Sequence, residues 1–259
     1  MIQIKMNPFN TIQFSKDNDM FCKFRGFDLY TNRNEVKFRG KNFKRIKEIL
    51  EKKVLYAAEF YKFNDILDCG FAVDDSINLD NKLNKEILGI IYSEKTKKYI
   101  CSVSRCYDEN DIREHLMWTH YANNHYGVRI DFELNTNKMA KIEYFMDNVE
   151  YIDGFKLLDI HRCNRNYINT ILMYKHKVWE YENEYRIIVD KKEYRKIPIT
   201  IKRVVIGRGF YKNKTLETNK GKKIIDSIAE QLKTFLKDES VKIYYYESRY
   251  SNIPIELEF

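Results

Sequence analysis

The densest group of chemically active side chains lies in the stretch Lys175-His176-Lys177-Val178-Trp179-Glu180-Tyr181-Glu182-Asn183-Glu184-Tyr185-Arg186. The apolar run Ile187-Ile188-Val189 follows it and predicts a strand. In an extended chain alternate residues share a face, so Glu180, Glu182, Glu184 and Arg186 would form one row. Two interpretations remain open. The row is either a solvated strand face with internal ion pairs, or a site that holds a carboxylate and a guanidinium together for a charged substrate.

A second group is the segment Met117-Trp118-Thr119-His120-Tyr121-Ala122-Asn123-Asn124-His125-Tyr126-Gly127, which concentrates indole, imidazole, phenol and amide groups. Apolar spacing predicts a short helix from residue 110 to 124 that Gly127 ends. Trp118 and Tyr121 then either fill the core, with His120 bonded to a backbone carbonyl, or face a substrate. The pattern by itself leaves both roles open.

Several common site types are absent from the sequence. His115, His120 and His125 are spaced five apart, so they do not share a helix face as a zinc-binding i, i+4 pair would. There is no G-x-S-x-G nucleophile elbow. Gly207-Arg208-Gly209 has neither the third glycine nor the helix start of a dinucleotide fingerprint. We therefore predict no metal site, no nucleophilic triad and no phosphate-binding loop of these kinds.

Composition indicates a folded protein of 259 residues, with 44% hydrophobic and 32% charged residues. No apolar run of about 18 residues is present, and the N-terminus lacks the apolar segment of a signal peptide, so we expect a cytoplasmic protein without a membrane span. Five scattered cysteines without a C-x-x-C pair predict reduced thiols. The formal net charge of +8, with 20 tyrosines and 16 phenylalanines, suits nucleotides or nucleic acid.

Short strands and helices of the predicted fold would position these residues. Alternating patterns predict strands at 22–27, 54–58, 99–104, 128–133, 142–151, 185–189, 197–201, 203–206 and 241–246. Helical spacing predicts helices at 42–53, 81–88, 110–124, 155–178 (the longest) and 221–237. Three prolines and nine glycines leave no flexible linker. The sequence predicts one α+β domain over residues 1–259, with a mixed or antiparallel sheet flanked by helices.

Four blocks of the sequence carry a resemblance. They are Lys37-Phe38-Arg39, Phe63-Asn64-Asp65-Ile66-Leu67-Asp68, Met117-Trp118-Thr119-His120-Tyr121-Ala122 with His125 and Gly127, and Lys175 followed by Trp179-Glu180-x-Glu182-x-Glu184-x-Arg186. In order and spacing they resemble the bacterial domain-of-unknown-function family 2971 (DUF2971). The resemblance covers residues 36–210, with 1–35 and 211–259 as extensions packed on this core. Ile66 stands where the family usually has proline, so the turn is less rigid here.

This resemblance implies that the blocks converge on one cleft, although the family has no assigned reaction. The residues that it implies for substrate binding are Lys37, Arg39, Asn64, Asp65, Trp118, Lys175, Trp179 and Arg186. The catalytic residues that it implies are His120, Tyr121, Glu182 and Glu184. A more distant similarity is to ADP-ribosyltransferase-like folds, in the order of Arg39, then Tyr56 or Phe63, then Glu182 or Glu184. That similarity rests on element order alone.

Three hypotheses about function follow. In the first, the protein is an enzyme that takes NAD as substrate, without a metal, and transfers or hydrolyses off ADP-ribose, as a bacterial toxin or phage-defence effector. Glu184, with Glu182 beside it, would stabilise positive charge on the ribose, while Lys37, Arg39 or Arg186 binds the pyrophosphate. His120 and Tyr121 would contact the ribose or nicotinamide.

In the second hypothesis the protein is a metal-independent nuclease or nucleic-acid binder that uses His120, Lys175 and Arg186. In the third it is a non-catalytic ligand-sensing module with a structural ion-pair network. The partners expected under these hypotheses are a nucleotide-type small molecule, a nucleic acid or a protein acceptor. The oligomeric state is left open.

Overall fold

The computed structural model describes residues 20–29, 36, 38, 40–108, 111–162, 165–211 and 218–258, and every structural statement below concerns these residues. The helices are α1 Lys41–Lys52, α2 Lys82–Thr96, α3 Ile112–Tyr121, α4 Thr136–Met139, α5 Arg165–Ile171 and α6 Thr218–Leu236. None of them is both long and apolar enough to cross a membrane. The strands are β1 Phe21–Gly26, β2 Val54–Tyr56, β3 Ala58–Glu59, β4 Phe71–Val73, β5 Tyr99–Arg105, β6 Gly127–Leu134, β7 Phe145–Asn148, β8 Glu150–Ile152, β9 Lys156–Leu158, β10 Tyr174–His176, β11 Glu184–Val189, β12 Lys196–Ile206, β13 Lys242–Tyr245 and β14 Ile255–Glu256.

Ten strands form the main sheet, in the order β14-β13-β12-β6-β1-β5-β11-β7, with β2 paired to β12 and β3 paired to β5. All neighbours in it are antiparallel except β12 and β13, which are parallel. Two small parallel sheets, β10-β8 and β4-β9, lie beside it. The predicted single α+β domain with a mixed, mostly antiparallel sheet flanked by helices is confirmed. Strand β1, from the predicted N-terminal extension, runs inside this sheet between β6 and β5.

Helices α1 and α6 cover one face of the main sheet. In α1 the buried residues Phe43, Ile46, Ile49 and Leu50 recur at three- and four-residue spacing, so one stripe of the helix faces the core. The apolar face of α6 joins the same cluster, which also contains inward-facing residues of β6, β11 and β12. This cluster is the main hydrophobic core, and burying it stabilises the sheet from one side.

The opposite face carries α3 and the segment around α5. Trp118 of α3 packs edge-on against Phe24 of β1, with ring centroids 5.1 Å apart. Leu172, just after α5, packs with Ile100 and Ile188 of the sheet. Two small apolar clusters therefore cover this face, and both include sheet residues.

The prediction of a long helix from 155 to 178 is wrong. That segment contains β9, a short 3-10 helix, α5 and β10. Its apolar residues serve two separate clusters: Ile168 and Ile171 pack with residues of α2, while Leu172 and Met173 pack beneath the sheet. Apolar spacing does not show which cluster each residue packs in. The apolar residues of several short elements therefore had the spacing expected of one long helix.

Strand β6, predicted from its alternating pattern, has both Arg129 and Asp131 buried. Glu114 of α3 forms an ion pair with Arg129, and Arg203 of β12 forms one with Asp131. The face of the sheet that α3 covers therefore contains buried charges. Residues 197–206, predicted as two strands, form the single strand β12, with a register shift between Ile201 and Arg203.

Candidate active site

Strand β11 positions the two most deeply buried charged residues of the central stretch. It lies between β5 and β7, and all six of its residues are buried. Tyr185 and Ile187 point into the main core. By alternation Glu184 and Arg186 point to the other face, where they meet residues before and after α5 and in the turn that follows Phe63.

Arg186 is the centre of a buried ion-pair network and is 0% exposed. Its Nε donates to Glu184 Oε1 at 2.7 Å, and its Nη2 donates to Asp68 Oδ1 and Oδ2 at 2.7 and 2.9 Å. Nη1 donates to the backbone carbonyl of Leu172 at 2.5 Å. The planar guanidinium presents its donors in a fixed fork, which lets it contact two carboxylates and a carbonyl at the same time.

Lys175 of β10 is the second cation of the network. Its Nζ donates to Glu182 Oε2 at 2.5 Å and to Glu184 Oε2 at 2.9 Å, and lies 3.7 Å from Asp68 Oδ2. Three buried carboxylates thus face two buried cations. Repulsion among these carboxylates in a site of low dielectric opposes their full ionisation.

The two glutamates have opposite pKa shifts. Burial alone would raise the pKa of Glu184, but the Arg186 guanidinium and the Lys175 ammonium outweigh burial and hold it far below its usual range. Burial raises the pKa of Glu182, and the charge of Glu184 adds to that rise against the pull of Lys175. Such a separation is what an acid–base pair requires, because one carboxylate stays charged while the other can exchange a proton.

A 3-10 helix, not a strand, carries the first part of the central stretch. It runs over Lys177–Glu182, and Asn183 follows in the left-handed region with φ 45°. Glu180 is consequently exposed, while Glu182 and Glu184 are 5% and 4% exposed. The predicted row of alternating glutamates is wrong for Glu180, and the interpretation as a solvated strand face is wrong because the other charges are inside.

Tyr121, at the end of α3, connects this network to the surface. Its hydroxyl donates to Glu182 Oε1 at 2.5 Å, and the ring is only partly buried. Burial and the neighbouring Glu182 raise the pKa of Tyr121, so it remains a hydrogen-bond donor over the whole neutral range. Glu182 is therefore the network carboxylate bonded to a partly exposed side chain.

His120, Trp179 and Tyr181 form an aromatic rim next to Tyr121. His120 Nδ1 lies 2.6 Å from the Tyr181 hydroxyl, and the His120 ring centroid lies 6.4 Å from that of Trp179. The Lys175 ammonium lies 5.3 Å from the centre of the Trp179 ring, a cation–π distance. Burial and Glu182 raise the pKa of Tyr181 to about 12. The rim offers flat faces for a ring beside the Glu182 carboxyl group.

Two residues of the Phe63–Asp68 block that were not among the predicted ligands contact the network. Asp68 pairs with Arg186, and the Phe63 ring centre lies 5.6 Å from the guanidinium carbon. The predicted ligands Asn64 and Asp65 belong instead to the turn: Asn64 is exposed, and Asp65 Oδ1 accepts the backbone N–H of Leu67 at 2.9 Å. Asp68 is part of the block that carries the family resemblance, and this was the one signal that could have identified it.

Trp118 is 0% exposed and belongs to the core. Its Nε1 donates to Glu114 Oε1 at 2.8 Å, and its ring stacks on His125 with centroids 5.7 Å apart. In this arrangement the indole has no free face for the substrate that was predicted. The predicted ligands Lys37 and Arg39 lie outside the described residues.

Among the described residues, one other group of possible metal ligands comes together. Cys22, Cys106 and Asp131 place one ligand atom each within 4.8 Å of one another. However, Arg129 and Arg203 already form ion pairs with Asp131, and burial raises the pKa of the Cys22 thiol well above its usual value. A metal would have to displace two guanidinium groups and deprotonate that thiol, so the glutamate network is the better candidate for chemistry.

Comparison with known families bears on the same segment. Residues 117–187 match the model of a family described as "Protein of unknown function (DUF2971)". The match includes the His120-Tyr121 block and the Lys175–Arg186 block of the predicted resemblance, while the Lys37–Arg39 and Phe63–Asp68 blocks lie outside it.

No curated protein and no solved structure matches the chain. The similarity to ADP-ribosyltransferase-like folds therefore stays a prediction. The matched segment contains every residue of the network except Asp68, and all of the aromatic rim. The family match thus coincides with the part of the fold where charge is most deeply buried.

The pKa of Glu184 makes stability depend on pH in a defined direction. Because its folded-state pKa lies below the ordinary value of 4.5, the ionised carboxylate contributes stability above about pH 4.5, and this contribution is lost as pH falls further. We expect the free energy of unfolding, measured with urea at pH 7, 5, 4 and 3, to fall steeply in the acid range. An Arg186→Met variant should show a shallower fall; equal slopes would contradict the ion-pair assignment.

Proposed function

We propose that this network and its rim cleave the glycosidic bond of NAD, and that the protein transfers the ADP-ribose to an acceptor or to water. The observation that most directly supports this proposal is the difference in pKa shift between Glu182 and Glu184. Both bond Lys175, their pKa values shift in opposite directions, and Glu182 connects through Tyr121 to the aromatic rim. The fold supplies one fixed anion and one proton-exchanging carboxyl group next to flat aromatic faces.

In the proposed reaction the bond between the ribose C1′ atom and the nicotinamide nitrogen breaks, and the electron pair leaves with nicotinamide. Positive charge develops on the ribose, and the Glu182 carboxylate stabilises it. Water or an acceptor hydroxyl then attacks C1′ and gives its proton to Glu182. A carboxylate whose pKa is raised by burial is a better base for this step than an ordinary glutamate.

The other residues take supporting roles. His120, Trp179 and Tyr181 would receive the nicotinamide or ribose, and Tyr121 orients the Glu182 carboxylate. Glu184 and Arg186, proposed from the sequence as a catalytic and a pyrophosphate-binding residue, bond each other and lie inside the network. We therefore assign them to positioning Lys175 and Glu182. A cytoplasmic toxin or phage-defence effector is the setting that we propose for such an activity.

The test is to incubate the pure protein with NAD and, separately, with RNA, and to identify the products by mass. Release of nicotinamide supports the proposal. Free ADP-ribose indicates hydrolysis, and an ADP-ribosyl mass added to a protein indicates transfer. RNA cleavage that persists in EDTA, without nicotinamide release, would replace the proposal with the nuclease hypothesis. No product and no thermal shift with NAD would favour a non-catalytic module.

A further inference from the structure

A cleft of about 450 Å³ lies outside the glutamate network and shares no residue with it. Its walls are the middle of α3, the turn that follows α3, the turn after β12 and the segment after β13. The lining residues are His115, Asn124, His125, Tyr126, Arg208, Gly209, Tyr211 and Arg249. This volume falls in the range of small-ligand sites, about 300–1,000 Å³.

The lining of this cleft is basic. It contains two arginines and two histidines and, among the described residues, no carboxylate. Arg129, Arg186, Arg195 and Arg203 each pair with a carboxylate. Neither Arg208 nor Arg249 pairs with a carboxylate of the described part of the chain. Guanidinium groups that have no ion-pair partner and face a common cleft favour an anionic ligand.

Three lining residues also carry buried polar atoms without a hydrogen-bond partner: Nε of Arg208, Nδ1 of His125 and the hydroxyl of Tyr211. Buried polar atoms in folded proteins are nearly always bonded, so three exceptions in one cleft need an explanation. Arg208 is 8% exposed, and its guanidinium carbon lies 4.2 Å from the centre of the Tyr246 ring. The guanidinium is therefore held in place without an ion-pair partner.

The backbone around the cleft is held as firmly as the side chains. Asn123, Asn124 and His125 are three successive residues with positive φ, at 51°, 54° and 66°. Gly209 donates its N–H to the His125 carbonyl at 3.0 Å, and a Cβ atom at Gly209 would lie 2.9 Å from that carbonyl. Left-handed backbone is costly outside glycine, and asparagine and histidine are among the residues that tolerate it best. The turn that follows α3 thus presents His125 to the cleft.

The cleft already disfavours positive charge on His125. Burial, followed by the charges of Arg208, His115 and Arg249, lowers the pKa of His125 to about 4. An anion placed between these groups would offset their repulsion and raise the pKa again. The four basic groups therefore interact electrostatically across the same cleft: His115, His125, Arg208 and Arg249.

We propose that this cleft binds the phosphate group of a mononucleotide-sized ligand, with Arg208 and Arg249 as the charged donors. Guanidinium groups match phosphate oxygens in geometry, and the Tyr126 and Tyr211 rings line the remaining wall, where a base can pack. The site is independent of the proposed NAD chemistry, because it uses none of the network or rim residues. It would bind its ligand whether or not Glu182 is catalytic.

The test is calorimetric titration with AMP, inorganic phosphate and adenosine. We expect AMP to bind most tightly, inorganic phosphate to bind more weakly and compete with AMP, and adenosine not to bind. Arg249→Gln should weaken AMP binding by about tenfold, which corresponds to about 1.4 kcal/mol, because it removes one charged donor to the phosphate. Arg249 is exposed, so this variant should fold normally. Lys192→Gln removes the same charge from an exposed position outside the cleft and should bind AMP as the wild type does.

A second readout locates the ligand. The ring protons of His125, followed by NMR as pH is varied, should titrate near pH 4 in the free protein and at higher pH with AMP bound. His125→Asn suits the left-handed backbone and identifies the signal by its loss. No AMP binding, equal weakening by Arg249→Gln and Lys192→Gln, or an unchanged His125 titration would each overturn the proposal. If Arg249→Gln loses AMP binding but still releases nicotinamide from NAD, the cleft and the glutamate network function independently.

Discussion

Glu182→Gln is expected to slow nicotinamide release from NAD by about 100-fold or more, the range lost when a general acid–base group is removed. Glutamine has the shape of the protonated carboxyl group, which burial already favours at this position. It can still accept a hydrogen bond from Tyr121, but it can neither carry negative charge nor take a proton. Lys175 keeps Glu184 at 2.9 Å as a partner, so we expect the fold to remain. The measurement is steady-state nicotinamide release, with circular dichroism as the check on folding.

Glu180→Gln is the matched control for this prediction. Glu180 lies two residues away on the same 3-10 helix but is exposed, so its replacement should leave the rate within about twofold of wild type, as expected for a surface change. If both variants keep the wild-type rate, the assignment of chemistry to Glu182 is wrong. If both lose activity equally, the loss reflects damage to the helix and not the chemistry of one carboxylate.

Arg186→Met is expected to reduce the free energy of unfolding by about 3–5 kcal/mol, because it leaves buried carboxylates without their cation. Glu184 and Asp68 would lose every hydrogen bond that the guanidinium donates, while the Lys175 ammonium would remain near both. For a chain of this size the melting temperature should fall by about 6–20 °C. Urea unfolding at pH 7 and thermal melts measure the two quantities.

Arg113→Met provides the comparison on the surface. Arg113 is exposed and pairs with Asp111 at 2.6 Å, so its loss should cost about 1 kcal/mol or less. Arg186→Lys should also be destabilising, because three ammonium donors cannot replace the planar contacts to two carboxylates and a carbonyl. Wild-type stability in Arg186→Met would show that the network does not form as described.

The double variant Glu184→Leu/Arg186→Met separates a structural network from a catalytic one. Replacing both members of a buried ion pair by apolar groups is often neutral for stability, whereas removing one member is not. We expect the double variant to recover part of the stability that Arg186→Met loses, because Glu184 is no longer stranded while Asp68 still lacks its guanidinium partner. If it also recovered NAD cleavage, the network would have no role beyond stability; if activity stays lost, positioning by Glu184 and Arg186 is supported.

The local sequence pattern was sufficient to predict elements whose own apolar spacing shows their buried face. Helix α1 was predicted within a residue, because its apolar stripe at three- and four-residue spacing is also its buried face. Strand β5 was predicted for a similar reason, since extended β-branched and alternating residues suit a sheet interior. In the segment 155–178 the same method failed, because two different clusters bury its apolar residues.

The sequence by itself determined that Glu182, Glu184, Lys175 and Arg186 are concentrated next to a strand, within the segment that matches the DUF2971 family model. Only the tertiary structure decided that these charges point inward. Burial depends on what covers the strand, here α3 and the segment around α5, and it creates the opposite pKa shifts of the two glutamates. The role of Asp68 and the cleft of Arg208 and Arg249 likewise required the fold. Their members are far apart in the chain, and electrostatic interaction depends on distance in space.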